Sequence, residues 1–258
     1  MLHRERVAEF WDEHVAAWLD GEDPMPAPLP CWWAGYTSNA PDGMPSRDGF
    51  VEPFQGDLLG RQTAPAVVLL GLNPGTYYAE FQSRSGIFAG EIRSYGSYTK
   101  WAATTPYVRD PWEAKVGKNS YQTNRLNFAQ AWTGRVDLTA AELLIFELYP
   151  WHSARVKGTM RPSARIINDF VWAPISEFPL SHVFAFGRRW NDVALALGLR
   201  CIASFGAGGT DCGFHARVRA VRVYELESGQ SLVVHWCGGG GKAPRPSEVA
   251  VLRSALLR

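Results

Sequence analysis

Four places in the sequence set polar side chains at the end of an apolar run. Asn73 follows Ala66-Val67-Val68-Leu69-Leu70 in the turn Gly71-Leu72-Asn73-Pro74-Gly75. Glu147 lies inside Leu143-Leu144-Ile145-Phe146-Glu147-Leu148-Tyr149, and Pro150-Trp151-His152-Ser153 comes next. Arg188 and Arg189 follow His182-Val183-Phe184-Ala185-Phe186-Gly187. His235 ends a fourth run and precedes Trp236-Cys237-Gly238-Gly239-Gly240-Gly241-Lys242-Ala243-Pro244-Arg245. Cations there can neutralise phosphates, and an ionised carboxylate can accept from an amine. Each also has a plain structural reading. Asn-Pro-Gly is common turn chemistry, Glu147 can pair with a nearby cation such as Arg155, and a lone histidine is more often structural. Four glycines can form a flexible surface loop, although glycines directly after a buried strand more often mark close backbone approach to a ligand.

The elements around these residues have the means to gather them. The runs at 66–70, 143–149 and 182–186 lack alternation, as expected of strands buried on both faces. Helical spacing marks 121–132, 163–171, 190–197 and 247–257. Strands alternating with helices predict a parallel sheet covered on both faces. Residues 221–226 and 231–236 flank Glu227-Ser228-Gly229-Gln230, which predicts a hairpin and so some antiparallel pairing. Val7, Phe10, Trp11, Val15, Trp18 and Leu19 place an amphipathic helix over 3–20, closed by Gly21. Residues 22–61, rich in Pro, Gly and aromatics, are expected to wrap the core as loop. The predicted architecture is one α/β domain over 1–258, with 1–61 as helix and wrapping segment and 62–258 as a three-layer α/β/α core around a mostly parallel sheet. In such a sheet ligands bind outside the carboxyl ends of the strands, which nominates the loops 71–78, 147–154, 187–190 and 235–245.

The totals exclude less than they permit. The 258 residues carry 26 basic and 25 acidic side chains, a net charge of +1. Residues 1–150 hold 12 basic and 18 acidic residues, whereas 151–258 hold 14 and 7, so the second half can present a positive face to phosphates. Cys31, Cys201, Cys212 and Cys237 lack the short spacings of metal ligation and read as reduced thiols of a cytoplasmic protein. No run has membrane-spanning length, and the charged, amphipathic first 20 residues do not read as a signal peptide.

Gly71-Leu72-Asn73-Pro74-Gly75 at a strand end resembles the first motif of the uracil-DNA glycosylase superfamily, in the form used by its mismatch-specific uracil/thymine branch. The lead-in Glu52-Pro53-Phe54-Gln55-Gly56-Asp57 is similar to that of less-described members. Glu147, Gly187 and His235 follow in the family's order, so the resemblance runs from about residue 52 to 245 at motif depth. It implies a uracil-DNA glycosylase-like fold and excision of a base that has been flipped out of DNA. Asn73 would hold the attacking water and His235 would assist the leaving base. Gly75 would leave open a gate that the uracil-specific branch closes with tyrosine, admitting substituents on carbon 5. Glu147 stands where the family has an asparagine. Ionised, it would accept from an exocyclic amine, pointing to a cytosine derivative; His152 is an equal candidate for the pocket. The stacking aromatic comes from Tyr77, Tyr78, Phe81 or Phe88, with Phe88 preferred and Tyr78 next. Phosphate contacts fall to Arg155, Lys157, Arg188, Arg189, Lys242 and Arg245, with Gly239 offering backbone.

The expectation is therefore a monofunctional DNA glycosylase that needs no cofactor or metal and whose partner is DNA, with no membrane and no obligate protein partner. Its substrate would be a 5-modified pyrimidine, best a hydroxymethylated or glucosylated cytosine of phage DNA, as in the superfamily's phage-defence members. Two alternatives stand beside it: a uracil/thymine mismatch glycosylase, and a catalytically silent nucleic-acid-binding module. A dinucleotide-binding enzyme is weaker, because Gly71–Gly75 lacks the spaced glycines of that fingerprint.

Overall fold

The strand that carries the Asn-Pro-Gly turn lies inside the sheet. In a computed structural model describing residues 1–37, 44–156, 163–207, 209, 218–237 and 241–257, the first two strands are β1 (Phe54–Gln55) and β2 (Val67–Gly71). They are followed by β3 (Leu143–Glu147), β4 (His182–Phe186), β5 (Cys201–Gly206), β6 (Val218–Glu225) and β7 (Ser231–Cys237). The seven strands form one sheet in the order β1-β3-β2-β4-β7-β6-β5. β2 runs parallel to both β3 and β4, and β4 runs parallel to β7. β1–β3, β6–β7 and β5–β6 are antiparallel. The sheet is therefore mixed in equal measure, not mostly parallel as expected. Its parallel middle β3-β2-β4-β7 is extended at one side by the predicted hairpin and by β5, an edge strand whose exposed residues gave no apolar run.

Alternation along β2 shows why both faces need cover. Val68 and Leu70 join a core with Leu144, Phe146, Val183 and Val234, while Val67 and Leu69 join another with Ile145, Phe184 and Val233. The first face is covered by α1 (His3–Leu19), α2 (Leu29–Thr37) and the short helices α3 (Ala79–Gln82), α4 (Ile87–Tyr95), α5 (Tyr98–Ala102) and α6 (Trp112–Val116). The second is covered by α7 (Ser120–Thr133) and by the last helix, Pro246–Leu256. Between these, α8 (Ala164–Ile167) passes through a wider π turn, Asn168–Trp172, into α9 (Ala173–Ile175); α10 (Arg188–Ala196) follows β4 and α11 is Pro246–Leu256. Helices on both faces give three layers. The stretch 22–61 is not all loop, since it supplies α2 and β1, and Trp32 and Tyr36 of α2 are fully buried.

Candidate functional site

The parallel pairings bring the carboxyl ends of β2, β3, β4 and β7 to one edge of the sheet, and a cleft of about 730 Å³ opens there. That volume lies within the range of small-molecule sites. Of the four nominated loops, three contribute: residues 72–76 and Tyr78, residues 154–156, and Gly241 with Lys242. The opposite wall was not foreseen. It comes from Trp112 and Val116 of α6 and from the start of α7, with Gln55, Gln82 and Tyr107 at the base. No carboxylate stands among the described lining residues, whereas Lys118, Arg125, Arg155 and Lys242 do.

Asn73, Gly75, Tyr78, Arg155 and Lys242 are the expected residues that line the cleft. Asn73 Nδ2 donates to the Ser153 carbonyl at 2.7 Å and to Ser153 Oγ at 3.2 Å. Its carbonyl oxygen Oδ1 is the end of the amide not committed to Ser153. Gly75 has φ +88° and no atom within 4 Å of where a Cβ would stand. Its backbone favours glycine, and the space in front of it is open. Tyr78 is 45% exposed and meets Trp112 edge to face at 5.3 Å.

Glu147 lies beneath the floor and is 1% exposed. Its partner is Tyr121, whose hydroxyl donates to Oε1 at 2.6 Å, and Oε2 has no hydrogen-bond partner among the described residues. Arg155 is not its counter-charge; Arg125 is the cation whose field reaches it. Burial drives the Glu147 pKa up from 4.5 to about 8, against the Tyr121 hydrogen bond and Arg125, which pull it down. The carboxyl is therefore mainly neutral at pH 7. The Tyr121 hydroxyl is raised by burial and next by the neighbouring Glu147. Gly71 makes this packing possible: a Cβ there would stand 2.2 Å from Tyr121 Oη and 2.3 Å from Glu147 Oε2. Arg125 is held in turn, donating to the Gly241 carbonyl at 2.7 Å and lying over the rings of Tyr121 at 4.0 Å and Phe186 at 4.6 Å.

A second buried carboxylate, Glu52, organises the base of the cleft. Its Oε1 accepts from Gln82 Nε2 at 3.0 Å and from the Tyr107 hydroxyl, and its Oε2 accepts from Gln55 Nε2 at 3.2 Å. Gln122 Nε2 donates in turn to Gln55 Oε1. Burial, and next the adjacent Glu52, push the Tyr107 hydroxyl pKa far up. His152 belongs to this network and not to the cleft lining. It is fully buried, with Nε2 3.2 Å from Glu52 Oε1 but without hydrogen-bond alignment.

Five expected residues are placed elsewhere. Phe88 is fully buried among Phe81, Trp101, Tyr107 and Trp112, and it is the last two of these, not Phe88, that line the cleft. It is core, and Tyr78, Tyr107, Trp112 and Tyr121 are the aromatics that line the cleft. His235 points into the layer between sheet and α7, with its ring against Phe186 at 5.6 Å and Phe128 at 5.8 Å. Burial lowers its pKa to about 3, which makes it a neutral aromatic core residue. His235 pairs with Phe186 on β4 and shares the face of Val233, where it is packed under α7 and outside the cleft lining. Arg188 and Arg189 open α10 and Arg245 precedes α11, all outside the lining; Arg189 pairs with Asp192 at 2.6 Å. Gly239, Lys157 and Cys212 lie outside the described residues.

The wall formed by α7 carried a readable signal. Asn119 caps the helix, accepting from Tyr121 N at 3.0 Å and Gln122 N at 3.2 Å. Gln122 and Arg125 then fall on the same buried stripe as Ala129, and polar residues on a core-facing stripe call for partners or a ligand. No group of three or more His, Cys, Asp or Glu side chains among the described residues is placed to hold a metal. No helix among them is long and apolar enough to cross a membrane. Comparison of the chain with models of known families, with characterised proteins and with solved structures finds no match.

Proposed function

We propose that this protein is a DNA glycosylase, akin to the uracil-DNA glycosylase superfamily, that hydrolyses the bond between deoxyribose and a flipped-out 5-modified pyrimidine. One observation carries the reading: the Asn-Pro-Gly turn forms a wall of a cleft whose described lining holds cations and no carboxylate. Such a lining suits a DNA strand and an anionic leaving base. With Nδ2 fixed on Ser153, Asn73 Oδ1 accepts from one water and aims it at C1′. The water oxygen bonds to C1′, the C1′–N1 bond breaks with its electron pair going to N1, and the water's surplus proton passes to solvent. An amide takes up no proton, so the rate rests on positioning and on stabilising the departing base, not on general base catalysis. His235 takes no part in this scheme; the cleft cations receive the charge on the base. Gly75 leaves room for a substituent on carbon 5.

The test is base release, read by mass spectrometry, from DNAs containing cytosine, uracil, 5-hydroxymethylcytosine or its glucosylated form. Wild-type protein should release only a 5-modified base, and Asn73→Ala should lower single-turnover rates about 100-fold or more. Release of uracil would replace this substrate with the mismatch reading. No release from any DNA, or equal release by Asn73→Ala, would overturn the assignment.

A further inference from the structure

We infer that Gln122 reads the pairing edge of the bound base and accepts from an exocyclic amine, its amide orientation being dictated by Glu52 through Gln55. This rests on the glycosylase reading for the identity of the ligand. The argument is one of direction along a chain of hydrogen bonds. A carboxylate offers only acceptors, so the fully buried Glu52 obliges Gln55 to turn its Nε2 inward, where it meets Oε2 at 3.2 Å. Gln55 must then present Oε1 to its other neighbour, and Gln122 answers with Nε2. The Gln122 carbonyl oxygen is left at the far end. It accepts from no described residue, and it is not among the sealed, unpartnered atoms. Gln122 lines the cleft, so the relay ends in an acceptor facing the ligand.

A lone glutamine can turn its amide over and read an amine or a carbonyl at little cost. Here a turn would set the Gln122 oxygen against Gln55 Oε1 in a buried place, where unpaired polar groups are expensive. The neighbouring Tyr121 adds to the bias, because its hydroxyl proton is committed to Glu147 and its oxygen offers lone pairs only. A cytosine-type edge brings an amine to these oxygens; a uracil-type edge brings another oxygen. The role assigned from sequence to Glu147, which is sealed beneath Tyr121, thus passes to a residue of α7. Gln55 and Glu52 act as positioning residues through it.

The experiment uses DNA whose glycosidic bond resists cleavage because the target sugar is 2′-fluoroarabinose. The full-length protein is titrated with two such DNAs, identical except for 5-hydroxymethylcytosine or 5-hydroxymethyluracil. Wild type should bind the amine-bearing DNA about 5- to 150-fold more tightly, the discrimination of one good base-edge contact. Gln122→Leu should bring the ratio to about 1, mainly by weakening binding of the cytosine form. Gln55→Met, which keeps Gln122 but cuts its anchor, should also bring the ratio near 1, and it decides the matter if Gln122→Leu does not fold. A wild-type ratio near 1, or a ratio that survives in a folded variant, overturns the inference. Because this readout needs no turnover, a shifted ratio from a protein that releases no base would sustain the relay while sinking the glycosylase reading.

Discussion

Glu147→Gln should leave the protein's stability nearly unchanged at acidic pH and raise it increasingly as pH rises. The folded state holds the Glu147 pKa at about 8, against 4.5 when it is free of the fold. Between these values the native chain keeps a proton that the unfolded chain has lost, so stability falls as pH rises, by about 1.4 kcal/mol per pH unit. Three histidines act in the opposite sense. His235 and His14 are lowered by burial to about 3 and about 4, and burial also lowers His182, so their contribution grows as pH climbs through 6.5 and levels off about a unit above it. The histidines are common to both proteins, so the difference between wild type and variant isolates Glu147, and it should shift by about 1.5 kcal/mol in the variant's favour between pH 6.5 and 8. Glutamine keeps the shape and can still accept from the Tyr121 hydroxyl, but it carries no charge at any pH. Urea denaturation followed by tryptophan fluorescence, for both proteins every half pH unit from 5 to 9, gives the difference directly. A difference that is flat between pH 6.5 and 8, or one in which the wild type gains on the variant, would refute the claim that burial governs this carboxyl.

The other expectations separate packing from exposure. Gly71→Ala should cost roughly 2–4 kcal/mol, because its Cβ would displace both Tyr121 and Glu147. Gly75→Ala should cost only about 1–2 kcal/mol, from its left-handed backbone alone; equal urea midpoints would contradict this. Phe88→Ala should cost about 3–5 kcal/mol as a fully buried ring. The exposed Tyr78→Ala should change stability by less than about 1 kcal/mol yet weaken binding to DNA by about 1–3 kcal/mol, one stacked base. Fluorescence-anisotropy titration checks the second half of that contrast.

How much of this was legible depended on whether a local pattern or a distant partner decides the outcome. β2, β3 and β4 could be read because unbroken apolar runs have few other uses, and the same runs fix which edge holds the cleft. Asn73, Gly75, Tyr78, Arg155 and Lys242 followed from that edge. The short helices between 79 and 116 did not, since Gly, Pro and Ser break every stretch before a period repeats. His235 was misplaced because order along the chain says nothing of what packs over a strand residue, and Phe128 of α7 with Phe184 and Phe186 seal it in the core. Phe88 looked like any aromatic near the turn; rings distant in sequence, Trp101, Tyr107 and Trp112, close around it and make it core. The Glu52-Gln55-Gln122 relay spans 70 residues of sequence, and none of its members is unusual alone.

The lining of the cleft has a consequence for its chemistry in solution. Among its described residues there is neither a carboxylate nor a histidine, the two side-chain types that ordinarily change charge between pH 4 and 8. The walls therefore present the same field to an anion in mildly acidic and in neutral medium. Beneath the floor, Glu147 adds a negative charge as it ionises around pH 8. Attraction for a polyanion should thus decline on the alkaline side as that charge appears, although no lining residue itself has changed.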